Sequence, residues 1–313
     1  MLDPESDELR DLKIVDAHHH FCDLEGPVSY PWLSHPEAHS SRHGDYSRIC
    51  RSYLPAEYKR DTALHNLVAS VHVEAECDRT QQLEETDWLV SMHRLHGLPS
   101  AIVAHAWVDT PDAEELIAQQ ARRPLVKGIR TKPLTSSGPD ASVRGMPRSL
   151  QDENWIRGLG LLEKYKLSWD LRVPWWHLEE AAVVARRFPN LPIALNHAGC
   201  PFDRSPEALA VWRRGMKALA ACENVVCKIS GLLVTGQPWT LKLNGPIIKE
   251  TLDIFGPDRC MFASNVFPDT LKGSWDYIYC QFKKSVAHEP PEVLNKLFCD
   301  NALRFYRIPA QSA

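Results

Sequence analysis

The sequence predicts a single (β/α)8 TIM barrel of the α/β class, and three observations predict it. Short, nearly continuous apolar runs recur along the chain, eight in all. Longer stretches with helix start signals separate them, which is the alternation that βαβ units and a parallel sheet produce. The length, 313 residues, suits a barrel of about 250 residues with insertions, and no linker-like tract divides it.

The runs are 13–19, 67–74, 101–108, 125–131, 167–173, 192–196, 225–230 and 259–264. Each is rich in Val, Ile, Leu or Ala, as strands buried on both faces are. Thr80 precedes Gln81-Gln82-Leu83-Glu84 and reads as a helix start. Thr110 before Pro111, Ser205 before Pro206, and Gly245 before Pro246 and the run to Phe255 read the same way. A doubly wound open sheet would call for a Gly-rich phosphate loop after the first strand, and none follows. The long stretch 21–54, with Tyr30-Pro31-Trp32, is expected to be an ordered lid over the end of strand 1. Residues 1–12 form an N-terminal extension and 13–313 the barrel. A second loop, 133–148, follows strand 4.

The net charge of −4 leaves no basic field for nucleic acid, and the short Arg/Lys pairs are solvated helix faces. No apolar run approaches the roughly 20 residues of a membrane span. The polar, acidic start is neither a signal nor a transit peptide. Nine cysteines, none in a Cys-x-x-Cys pair, argue against a zinc ribbon or a disulfide framework and for a reducing cytoplasm. The expectation is a cytoplasmic enzyme of small molecules, monomeric or paired as a homodimer.

The chemistry begins at Ile14-Val15-Asp16-Ala17-His18-His19-His20. A period of two puts His18 and His20 on one face, where neutral imidazoles can share a divalent ion. Asp16, one pleat below His18, is expected to orient it. His197, in Asn196-His197-Ala198-Gly199, ends strand 6 as an exposed imidazole would. Glu74 and Glu76 end strand 2, and each reads as a base, a metal ligand or a helix cap. Arg130 is a candidate clamp for a carboxylate or oxyanion. Asp170 and Arg172 share a face of strand 5. Trp32 and Trp176 are candidate walls for a sugar or aryl ring.

These motifs resemble the amidohydrolase superfamily, in its amidohydrolase-2 branch of sugar-lactonase-like hydrolases. The resemblance starts with the Asp-x-His-x-His strand and Tyr30-Pro31-Trp32. It runs on through Val71-His72-Val73-Glu74-Ala75-Glu76, Gly128-Ile129-Arg130 and Leu195-Asn196-His197-Ala198-Gly199. It ends at Phe255-Gly256-Pro257-Asp258-Arg259 and Met261-Phe262-Ala263-Ser264-Asn265. It implies that His18 and His20 hold a divalent ion, zinc or manganese, and that His197 faces the substrate carbonyl or the metal. A metal-free site, with the imidazoles acting directly, fits the same residues. Asn265 departs from the superfamily, whose strand 8 position is usually an Asp that serves as ligand and base. The amide is either native to this branch or an engineered loss, and Asp269 stands four residues on as a further carboxylate. The reading is a lactonase for a small polar, sugar-acid or aromatic, lactone. The alternatives are a decarboxylase or amide hydrolase on the same barrel, and a ligand-binding barrel without turnover.

Overall fold

The computed structural model describes residues 7–38 and 44–309. Each expected run carries a strand: β1 (Ile14–His19), β2 (Leu67–Val73), β3 (Ala101–Ala104), β4 (Val126–Ile129), β5 (Ser168–Leu171), β6 (Ile193–Leu195), β7 (Val225–Ile229) and β8 (Cys260–Phe262). They pair in sequence order, all parallel. The ring closes just past β8, where Asn265 N donates to the His18 carbonyl at 2.8 Å and His20 N to that of Val266 at 2.6 Å. The fold is a single (β/α)8 barrel.

Alternate strand residues serve two cores. Ile102, Ile129, Trp169, Leu171, Ile193 and Leu195 join the cluster that faces the helices. Val15, Ala17, Val71, Val73, Val103 and Met261 form a second cluster inside the barrel, joined by Cys299, Ala302 and Tyr306. The segment that brings Tyr306 runs under the strands' N-terminal ends. Asn301 Nδ2 donates to the Pro257 and Cys260 carbonyls, both at 2.7 Å, and Arg307 to that of Lys127 at 2.8 Å. Tyr306 is thus a floor to the barrel, and its hydroxyl donates to Asp170 at 3.1 Å.

One expectation fails at β1. Asp16 pairs with Ser70 and His19 with His72, so β1 advances three residues while β2 advances two. The extra residue is a bulge, and a bulge reverses which face the next side chain takes. Asp16 therefore faces the helices instead of lying beneath His18. There it accepts from Tyr58 Oη (2.8 Å), Trp275 Nε1 (3.0 Å), Tyr279 Oη (3.2 Å) and the Ser264 amide (2.8 Å) and hydroxyl (2.6 Å).

Helix starts differ from expectation where a better cap lies nearby. Ser205 does cap Pro206–Ala220, accepting from Ala208 N. Gly245 starts nothing: the helix is Leu241–Phe255, capped by Thr240, and Pro246 lies inside it. Thr80 instead closes a turn on Asp78, and the helix Gln82–His96 follows without a side-chain cap. After Thr110-Pro111 the helix Ala113–Ala121 begins only past Asp112. The 21–54 stretch is packed, with Tyr30, Tyr46 and Tyr53 buried and Cys22 bridged to Tyr53. Within it, residues 39–43 lie outside the described residues.

Candidate active site

The strands' C-terminal ends surround a cavity of about 650 Å³ lined by His20, His197, Asn265, Glu76, Arg79, Arg130, Lys132 and Arg172. Pro31, Trp32, Tyr46 and Ile49 from the 21–54 stretch form its apolar wall. That volume is in the range of ordinary small-molecule sites.

The histidines converge. His18 Nε2 and His20 Nε2 are 3.3 Å apart, and the His197 ring centre lies 4.8 Å from that of His18. His20 Nδ1 meets the Val73 carbonyl at 2.7 Å. A carbonyl only accepts, so the proton sits on Nδ1 and Nε2 offers its lone pair. Burial pushes His18 well below its ordinary pKa, and Lys228, His197 and His20 push it further. Burial and then Arg130 do the same to His20. Both rings are neutral at neutral pH. His197 Nδ1 lies 3.0 Å from Ser230 Oγ.

Backbone strain gathers at the same place. Glu76 (φ 56°), His197 (φ 58°) and Asn265 (φ 53°) all occupy the left-handed region without being glycine. Such residues cost of order 1–3 kcal/mol each and persist where surrounding structure over-determines them. Gly231, itself at φ +58°, makes room for His197, because a Cβ there would sit 2.5 Å from its Nδ1.

The carboxylates divide by position. Glu74 is fully buried behind the wall, accepting from Arg130 Nε at 2.6 Å and Arg79 at 3.2 Å. Burial alone would raise its pKa, but the charges of Arg130, Lys132 and Arg79 outweigh that and hold it well below the usual carboxylate range. It anchors Arg130. Glu76 reaches the cavity, ion-paired with Arg79 and Lys132. Asp269 is buried beside Asn265, whose Nδ2 donates to it at 2.5 Å, and Asn265 lines the cavity. Trp32 lines the cavity, its Nε1 tied to the Ala75 carbonyl at 2.8 Å. Trp176 is not among the lining residues. Its Nε1 donates to Ser136 Oγ at 3.0 Å, and its ring packs edge-on against Phe202. Ser136, His177 and Glu180 form a chain there like a nucleophilic triad. The Ser136 amide occupies the same His177 Nε2 at 3.0 Å, so the trio fastens the loop after β4.

Sequence reasoning missed Lys228 and Arg79. Lys228, on β7 inside the barrel, is fully buried and donates to Asp170 at 2.5 Å, and Asn196 Nδ2 donates to the same oxygen at 2.9 Å. A lone lysine in Val225-Val226-Cys227-Lys228-Ile229 and a lone aspartate in Ser168-Trp169-Asp170-Leu171 were the available signal, since buried charges need partners. Arg172 faces the cavity from the same face of β5 as Asp170.

Glu85 backs the wall, accepting from Ala75 N at 3.0 Å. Burial and the charge of Glu74 push it from 4.5 up to about 7. A raised carboxyl binds its proton more tightly in the folded state, so stability is lost as pH rises from 4.5 through 7. At about 1.4 kcal/mol per pH unit the loss is roughly 3 kcal/mol. Glu85→Gln keeps an oxygen for Ala75 N and is expected to melt several degrees higher than the parent at pH 8 but not at pH 4.5. Equal pH dependence in thermal melts of the two proteins would contradict this.

The amidohydrolase family model matches residues 15–308. The chain belongs to the amidohydrolase family. It is 36% identical over 300 residues to the uncharacterized protein y4mH of Sinorhizobium fredii, covering 96% of this chain and 100% of that one. It is 29% identical to an L-fucono-1,5-lactonase of Burkholderia multivorans, covering 84% and 85% of the two chains. A B. multivorans amidohydrolase solved with bound zinc superposes with a TM-score of 0.79 at 25% identity, covering 95% and 99%. The protein is an amidohydrolase-like enzyme, a hydrolase of this family. Among the described residues no helix is long and apolar enough to cross a membrane.

The histidines of this amidohydrolase fit a divalent ion. Two neutral imidazoles present nitrogens at ligand spacing, and His18 Nδ1 is a buried atom with no hydrogen-bond partner, free to carry the ring proton.

Proposed function

We propose that this amidohydrolase opens a small polar lactone, of the sugar-acid or aromatic kind, by attack of water on the ring ester. The observation that carries this is that His20 and His197 line a cavity that also holds Arg130 and Glu76, with the buried His18 Nε2 3.3 Å from that of His20. The 29% identical lactonase supports the reaction type.

The lactone ring lies against Trp32 and Tyr46, with its carbonyl toward the histidines. His18 and His20 would hold a divalent ion, which supplies Lewis acidity at the carbonyl and a more acidic water. Glu76 takes the proton of the attacking water. Arg130, fixed by Glu74 through Nε and by the Glu74 carbonyl through Nη2 at 2.6 Å, turns its remaining nitrogen to the developing oxyanion. His197 gives a proton to the ring oxygen as it leaves and regains one through solvent as Glu76 releases the one it took, which returns both groups to their starting state. Asn265 holds the water through its amide oxygen. It lacks the basicity of the usual aspartate, so the proton goes to Glu76.

The test is acid release from a panel of sugar-acid and aromatic lactones, with and without zinc or manganese. Ring-opened hydroxy acid is the expected product. Carbon dioxide release from aromatic acids instead would identify a decarboxylase, and no turnover under any condition would sink the reading. The double variant His18→Ala, His20→Ala is expected to take up about one equivalent less zinc than the parent, by elemental analysis after dialysis.

A further inference from the structure

Three ligand types meet on the barrel's outer wall, away from the mouth. Asp276 and Cys280 lie four residues apart on the helix Trp275–Ser285 and so share one face. His65, in the turn before β2, lies across them. Its Nε2 is 2.9 Å from Asp276 Oδ1, and Cys280 Sγ is 3.6 Å from that same oxygen. The three ligand atoms all lie within 4.8 Å of one another. Bonds of about 2.0–2.3 Å to a tetrahedral ion place ligand atoms roughly 3.3–3.8 Å apart. Side-chain adjustments of about 1 Å or less reach that spacing.

The set is anchored and reachable. The His65 side chain is 4% exposed and that of Asp276 42%, so an ion enters past the aspartate onto a fixed imidazole. The His65 ring packs at 5.1 Å from Trp275 and 6.4 Å from Tyr279, centre to centre. Lys283 Nζ lies 2.9 Å from His65 Nδ1 and also donates to the Leu9 carbonyl at 2.5 Å. When an ion takes Nε2 the ring proton moves to Nδ1, which breaks the Lys283–His65 hydrogen bond, and Lys283 turns away from the ring while keeping the Leu9 carbonyl.

We propose that His65, Asp276 and Cys280 form a second cation site, outside the catalytic cavity, for a divalent ion of the zinc class. One nitrogen, one oxygen and one sulfur select a borderline-soft ion over magnesium or calcium, which take oxygen sets. Binding exchanges the thiol proton for the ion and leaves the fourth position to water. The role is structural. The ion ties the helix after β8 to the turn before β2, beside Trp275 and Tyr279, which both hold Asp16.

The test is cobalt(II) titration of the full-length protein, read by near-ultraviolet thiolate-to-cobalt charge-transfer absorption, which the histidines at the mouth do not produce. The band is expected in the parent and in the His18→Ala, His20→Ala variant, and is expected to vanish in Cys280→Ser. Cys280→Ser keeps parental hydrolase activity but loses the rise in melting temperature that zinc gives the parent. Absence of the band in the parent overturns the proposal. So does a band unchanged in Cys280→Ser, which would assign it to another thiol. His65→Gln, which keeps the helix ligands, is expected to weaken cobalt binding at least tenfold, and unchanged affinity there also overturns it.

Discussion

Alanine at His197 is expected to lower kcat on a responsive lactone about a thousandfold, the scale of losing a positioned general acid. The chain commits three features to this ring. A left-handed backbone aims it, Ser230 Oγ holds Nδ1 at 3.0 Å, and Gly231 leaves the space it needs. His18, whose ring centre is 4.8 Å away, and His20 remain in the variant, so KM is expected to change far less than kcat. Steady-state kinetics and far-ultraviolet circular dichroism on the same preparation decide it. A folded variant with kcat within tenfold of the parent would remove His197 from the chemistry.

Asp16→Ala is the expected stability counterpart, with little direct bearing on the cavity. The carboxylate collects three ring donors and two donors of Ser264, all in a fully buried place. Removing it strands those donors away from water. A net loss of about 4 kcal/mol follows, or roughly 6 °C in Tm for a chain of this length. Asp16→Asn keeps the shape and one acceptor, and is expected to lose about half as much. An alanine variant that melts with the parent would show that water reaches the seam.

Asp16 also shows where the sequence stops being readable. The alternation of apolar runs located all eight strands, because buried parallel strands need little beyond continuous hydrophobicity. It located the strand ends as well, where His20, His197, Arg130 and Asn265 line the cavity and His18 is buried beside His20. Face assignment is different, since it assumes an unbroken period of two. The bulge between Asp16 and His19 breaks that period without any signature in Asp-Ala-His-His. Helix starts at Thr80 and Gly245 misled for a related reason. A turn on Asp78 and the Thr240 cap satisfy backbone donors better than the nearest Thr-Gln or Gly-Pro pair does. Glu74 and Glu76 read alike in sequence. Only the neighbouring strand, which brings Arg130 onto one of them, separates an anchor from a cavity carboxylate.

The seam held by Asp16 joins residues 248 positions apart. A ribosome therefore exposes the first strand long before its last neighbour exists. Until Ser264 arrives, the growing sheet has two open edges, and its inner face lacks the tyrosine that Asp170 awaits. Contacts so distant form slowly, and open edges pair with whatever strand is near. The strand edges of this barrel are therefore exposed longest during synthesis, before Ser264 closes the seam.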